Sequence, residues 1–147
     1  MWQRVQTLYM AISTILIAAM LFSNEAVCYG ADGEIIGSIG FAQKLSHLIL
    51  LIIILILNIL ALTVISHRVF QMRTAVLAAI VTLALQIWIA ADFISLHEVF
   101  VFKLPAVFPA VCIILDILAA RAILADQLLV DSSSSLRKSR RERRSKR

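Results

Sequence analysis

Charge is scarce in this chain, and so are the residues that make turns and cross-links. Of 147 residues only 16% are charged, and there are four Gly, two Pro and two Cys. A soluble domain carries roughly a quarter charged residues, so this one has too little polar surface to wrap itself in. Two cysteines cannot staple a small secreted scaffold. The low Gly and Pro content excludes collagen-like and low-complexity chains. With 61% hydrophobic residues and a mean hydropathy of +0.94, the chain is not disordered as a whole. Reaction motifs are missing too: the sequence has no C-x-x-C pair, phosphate-binding glycine loop, nucleophile elbow or H-E-x-x-H. The expectation is a non-enzymatic protein without a cofactor.

What is present is long apolar runs. Crossing ~30 Å of hydrocarbon takes ~20 apolar residues in a helix, and four stretches qualify. They run over about 7–23, 45–66, 75–96 and 105–125. Leu48–Leu57 is continuously apolar rather than alternating, which favours helices over a barrel. Arg4 ahead of the first run also fits a signal peptide, but no convincing small-x-small cleavage site follows. The expected fold is all-α: an integral membrane antiparallel four-helix bundle over 1–126, followed by a basic tail over 127–147, disordered beyond 131.

Basic residues set the expected orientation. With the N-terminus inside, Arg4, Arg68, Arg73, Arg121 and eight tail residues fall on the inner side, and only Lys44 and Lys103 fall outside. That is twelve against two, and it predicts both termini in the cytoplasm. The outer loop Asn24–Lys44 is broken into turns by its glycines. His67–Thr74 reads as a short inner turn, and Ser132–Ser135 as a flexible linker.

The opening Met1-Trp2-Gln3-Arg4-Val5-Gln6-Thr7-Leu8-Tyr9 resembles the MxQRxQTxY start of a bacterial four-span membrane family, domain of unknown function 4293. The turn His67-Arg68-Val69-Phe70-Gln71-Met72-Arg73 is similar to that family's basic, glutamine-containing turn. The stretch Leu118-Ala119-Ala120-Arg121-Ala122-Ile123, with Asp126, Leu129-Val130 and Leu136-Arg137, looks like its ending. Leu124-Ala125 departs from the basic residues expected before the aspartate, and the long basic tail is an addition. The resemblance implies four helices in a bacterial inner membrane and no established activity.

Ionisable and polar groups inside spans are the natural site candidates. Asp116 lies about 16 Å past Pro105 at ~1.5 Å per residue, near mid-membrane. Asn58, Gln86, and Ser13 with Thr14 fall at similar depth, so Thr14, Asn58, Gln86 and Asp116 are expected to form one polar layer. It reads first as packing glue between helices and second as a proton or ligand site centred on Asp116. Asp92, about a turn from the outer end of its span, reads as a solvated helix-end carboxylate. His47, His67 and His97 lie on different sides and make no metal set, although His47 and His97 can meet outside.

The tail concentrates charge in Arg137, Lys138, Arg140, Arg141, Arg143, Arg144, Lys146 and Arg147. It lacks aromatic residues for stacking on bases, so nucleic acid is not the expected target. Anionic lipid is, at ~1 kcal/mol per basic residue near the surface, or else an acidic partner. The expected function is a small accessory or structural membrane protein packing against the bilayer, a second copy or another membrane protein. The rival is a small proton-coupled transporter using Asp116.

Overall fold

The computed structural model describes residues 2–63 and 68–145. Four helices carry the fold: α1 (Trp2–Leu21), α2 (Leu45–Thr63), α3 (Arg68–Leu96) and α4 (Phe108–Ser145). Between α1 and α2 lie two strands, β1 (Asn24–Tyr29) and β2 (Ile35–Gly40). Between α3 and α4 lie a short β3 (Val101–Phe102) and a 3-10 turn (Leu104–Val107). Each helix packs on its neighbours in the chain, and α1 also closes on α4.

Three helical stretches are long and apolar enough to cross a membrane: Leu45–Thr63, Val69–Leu96 and Leu104–Ser133. The apolar part of α1, Val5–Leu21, is shorter. Apolar side chains cover the helix exteriors as well as the interior, with Ile52, Ile56, Ile80 and Ile87 all exposed. That is the pattern of a helix set meant for a hydrocarbon solvent.

The expectation of a purely helical chain is corrected by the three-stranded antiparallel sheet, ordered β2-β1-β3. Val27, Tyr29, Ile35, Ile36 and Ile39 supply β-branched and aromatic residues. Gly33 supplies the positive φ of 77° that the turn needs. The Gly33 amide donates to the Gly30 carbonyl at 3.0 Å, and the Gly30 amide to the Glu34 carbonyl at 2.8 Å. Pairing runs Asn24 to Gly40 but then Ala26 to Ile39, so Glu25 is an extra, bulged residue on β1. A bulge puts neighbouring side chains on one face, and Glu25, Ala26 and Val27 are all buried in succession.

Helix limits differ from the expected ones at several places. α2 ends at Thr63, and residues 64–66, read as part of the second span, lie outside the described residues together with His67. α3 starts at Arg68, so most of the presumed inner turn is helix. Its first turns are held from within: the Gln71 amide donates to the Met10 sulfur at 3.9 Å and the Thr74 hydroxyl to the Phe70 carbonyl at 3.0 Å. Pro105 sits in the 3-10 turn, and Pro109 occupies the first turn of α4, where a missing N–H is tolerated. α4 then runs unbroken to Ser145, through the four serines read as a linker and the tail read as disordered. Ser132 and Ser133 donate their hydroxyls to the carbonyls of Leu129 and Val130, at 2.9 and 2.8 Å, inside their own helix. Arg, Lys and Glu beyond them are good helix formers.

Two apolar clusters fill the interior. One, toward the sheet, gathers Ile17, Met20, Phe41, Leu51, Ile54 and Leu85 with Cys112 and others. The other, toward the tail, is built on Met10 and the small residues Ala61, Ala75, Ala119 and Ala120. Small side chains let helices approach closely there.

Candidate functional site

The polar layer expected at mid-helix depth assembles only in part. Its hub on α1 is Ser13, not Thr14. The Thr14 hydroxyl turns back to the Met10 carbonyl of its own helix at 2.7 Å. The Asn58 amide on α2 donates to the Ser13 hydroxyl at 3.2 Å, and the Cys112 thiol on α4 approaches the Ser13 carbonyl at 3.7 Å. Asp116, one turn after Cys112, lies beside the same serine. It is 1% exposed, yet neither carboxyl oxygen reaches hydrogen-bond geometry with any described residue. Gln86 stands apart: it lines a groove of about 360 Å³ with Phe93, Phe102 and Lys103 near the strand end. The layer is therefore Ser13, Asn58, Cys112 and Asp116.

A second constellation sits at the strand end and gathers residues from three elements. Glu25 comes from the bulge of β1, with its backbone carbonyl held by the Lys103 amide at 2.9 Å. Lys44 immediately precedes α2, His47 lies in its first turn, and Asp92 comes from the last turns of α3. The Lys44 ammonium donates to Asp92 Oδ2 at 2.7 Å and stands 3.4 Å from Glu25 Oε2. The His47 ring lies between the two acids: Nε2 is 3.4 Å from Asp92 Oδ2, and Nδ1 is 3.9 Å from Glu25 Oε2. Phe41 and Trp88 meet the same ring edge-on at 6.4 and 6.1 Å between centroids.

Burial makes this cluster unusual. Glu25 and His47 are both 0% exposed, and none of their side-chain oxygens and nitrogens has a hydrogen-bond partner among the described residues. Burial pushes the Glu25 carboxyl above its ordinary value; Lys44 opposes the shift and Asp92 adds to it. With both acids ionised, Lys44 charged and His47 neutral, the group carries one net negative charge. Such a charge beside the fully buried Glu25 and His47 calls for a compensating cation or proton.

This site corrects the reading of Asp92 as a solvated helix-end carboxylate, since it is paired with Lys44 and faces His47. Sequence reasoning missed Glu25 altogether. A usable signal existed: Lys44 just before α2 and His47 in its first turn are three apart, and Asp92 falls at matching depth on the next helix. His97, the expected companion of His47, lies elsewhere. Its Nδ1 is 2.9 Å from the Ile94 carbonyl and its ring stacks on Phe93.

Of the tail basics, Arg137, Lys138, Arg140, Arg141, Arg143 and Arg144 lie on α4, while Lys146 and Arg147 lie outside the described residues. On the flank formed by α3 and α4 is an apolar groove of about 370 Å³ lined by Val76, Ile80, Leu83, Ile113 and Ile117, with Arg121 at its tail end.

Among known proteins, a family model described as Domain of unknown function (DUF4293) matches residues 2–136. No curated protein matches the chain, and no solved structure does.

Proposed function

The chain belongs to the DUF4293 family, and from that premise we propose that it is a non-enzymatic accessory or structural protein of the bacterial inner membrane. Its four helices cross the bilayer as an antiparallel bundle, with both termini in the cytoplasm. The apolar part of α1, Val5–Leu21, reaches about 25 Å at about 1.5 Å per residue, and seventeen residues is the short end of what crosses a bilayer, about 17–25.

The observation that carries this reading is how its mid-helix polar groups are spent. Ser13 and Asn58 are 0% exposed and tie α1 to α2, the Asn58 amide donating to the Ser13 hydroxyl at 3.2 Å, while the buried Thr82 hydroxyl bonds back to the Ala78 carbonyl of its own helix. A solute path brings water to such groups, whereas a structural one uses them to tie helices together. The outward surface is what an accessory protein needs: apolar ridges and an α3–α4 groove that accept a helix of a second copy or of a membrane partner. The basic tail helix then meets anionic lipid or an acidic partner on the cytoplasmic side.

The test is purification of the full chain from native membranes in mild detergent, with companions identified by mass spectrometry and stoichiometry by native mass. A stoichiometric companion or a defined homo-oligomer, retained by Asp116→Asn, supports the reading. A companion-free monomer that drives proton-dependent solute uptake into vesicles, lost in Asp116→Asn, overturns it. That second outcome belongs to the rival proton-coupled transporter, which the unpartnered Asp116 carboxyl favours.

A further inference from the structure

We propose that Glu25, His47 and Asp92 form a binding site for one divalent transition-metal ion of the zinc type, which takes the place held by the Lys44 ammonium. The donor set is the first argument. One imidazole and two carboxylates from three separate elements converge so that one ligand atom from each lies within 4.8 Å of the others. Imidazole nitrogen beside carboxylate oxygen suits zinc, while magnesium and calcium favour oxygen alone.

Geometry is the second argument. Around zinc, bonds of about 2.0–2.1 Å place neighbouring ligand atoms about 3.3 Å apart in a tetrahedron. His47 Nε2 and Asp92 Oδ2 are 3.4 Å apart. The other ring nitrogen faces Glu25 Oε2 at 3.9 Å. Glu25 supplies the third ligand, one of its oxygens lying within 4.8 Å of both a His47 ring nitrogen and an Asp92 oxygen. Water completes the fourth position.

Unspent bonding capacity is the third argument. Both Glu25 oxygens and both His47 nitrogens are buried without a hydrogen-bond partner among the described residues, a costly arrangement for a purely structural salt bridge. Lys44 already shows that a cation is stable at this spot, 2.7 and 3.4 Å from the two acids. Its side chain is 26% exposed and that of Asp92 22%, so the ammonium can swing to solvent and open the way for an ion. Lys44 is then a built-in competitor that sets how tightly the metal is held.

The experiment uses the full chain, purified in detergent without a histidine tag and stripped with chelator. Zinc chloride is titrated by calorimetry, and cobalt(II) is followed by its visible spectrum. The expected result is one equivalent bound, with a tetrahedral cobalt spectrum free of a sulfur-to-metal band. His47→Ala weakens binding by more than about 100-fold, since even groups behind the ligands are worth 10–100-fold. His97→Ala leaves it unchanged. Lys44→Met tightens it by about tenfold, because one competing positive charge is gone. A wild-type chain that binds no stoichiometric zinc overturns the proposal, as does a Lys44→Met chain that binds more weakly. Helicity is checked for each variant. If His47→Ala does not fold, Asp92→Asn and Lys44→Met decide, and retention of full affinity in Asp92→Asn overturns the site.

Discussion

The two polar regions of this molecule share α2 and are built on opposite principles. The mid-helix layer is nearly neutral: the Asn58 amide and the Cys112 thiol meet at Ser13, and the Asp116 carboxyl stands beside them with no hydrogen-bond partner among the described residues. The strand-end cluster is made of charges, two acids against one ammonium with an imidazole between. The first is assembled by helix packing alone. The second exists only because a bulged strand drops Glu25 onto the helix ends. A region that helices can build unaided is tolerant, and one that needs a sheet, a loop and two helices in register is specific. Charge therefore concentrates at the strand end.

The sharpest way to break this comparison is Asp92→Ala. It removes the 2.7 Å partner of Lys44 and the nearest acid to His47, and the expected loss is about 1–3 kcal/mol, read by denaturant titration in detergent micelles. Next comes the hairpin that delivers Glu25. Gly33 has φ 77° with open space around it, so Gly33→Ala costs roughly 1 kcal/mol from backbone strain alone. If the strand-end cluster depends on the hairpin, this change also lowers zinc affinity, although residue 33 touches none of the ligands. Asn58→Ala in the mid-helix layer is expected to lose only about 0.6 kcal/mol, and not above about 1.7, in the same titration. Smallest of all is Asp116→Asn. With no hydrogen bond to a described residue to break and an ionisable group removed from an apolar helix, stability should stay the same or rise. A loss as large as that of Asp92→Ala would erase the distinction between the two regions.

Much of the helical frame is legible in the sequence, because long apolar runs leave few alternatives. Asp116 and Asn58 are legible for the same reason: a polar group among Leu and Ile stands out. The sheet is not, since Val27, Ile35 and Ile36 lie in a segment whose glycines and acids read as loop. Glu25 is hidden further, because an acid in an outer loop is ordinarily solvated and only the register slip at the bulge turns it inward. Ser13 and Thr14 are adjacent and equally placed by depth. Choosing between them needs the rotation of α1 about its axis, which the weakly sided pattern of apolar residues around that helix does not fix. The continuity of α4 is obscured by four serines, which favour turns in isolation, although Ser132 and Ser133 bond back to their own helix here.

That continuity has a mechanical consequence. α4 has 38 residues, a rod of about 57 Å at 1.5 Å per residue. About 30 Å of it suffices to cross hydrocarbon, so in the proposed orientation some 25 Å stands clear of the bilayer core. Electrostatic attraction fades over about 8 Å in physiological salt. An upright rod therefore lifts its last arginines beyond the reach of their own membrane and presents them to whatever approaches from the cytoplasm. A rod that leans lays the same charges on lipid. In the proposed orientation, the tilt of a single helix thus sets how far the basic end stands from its own membrane.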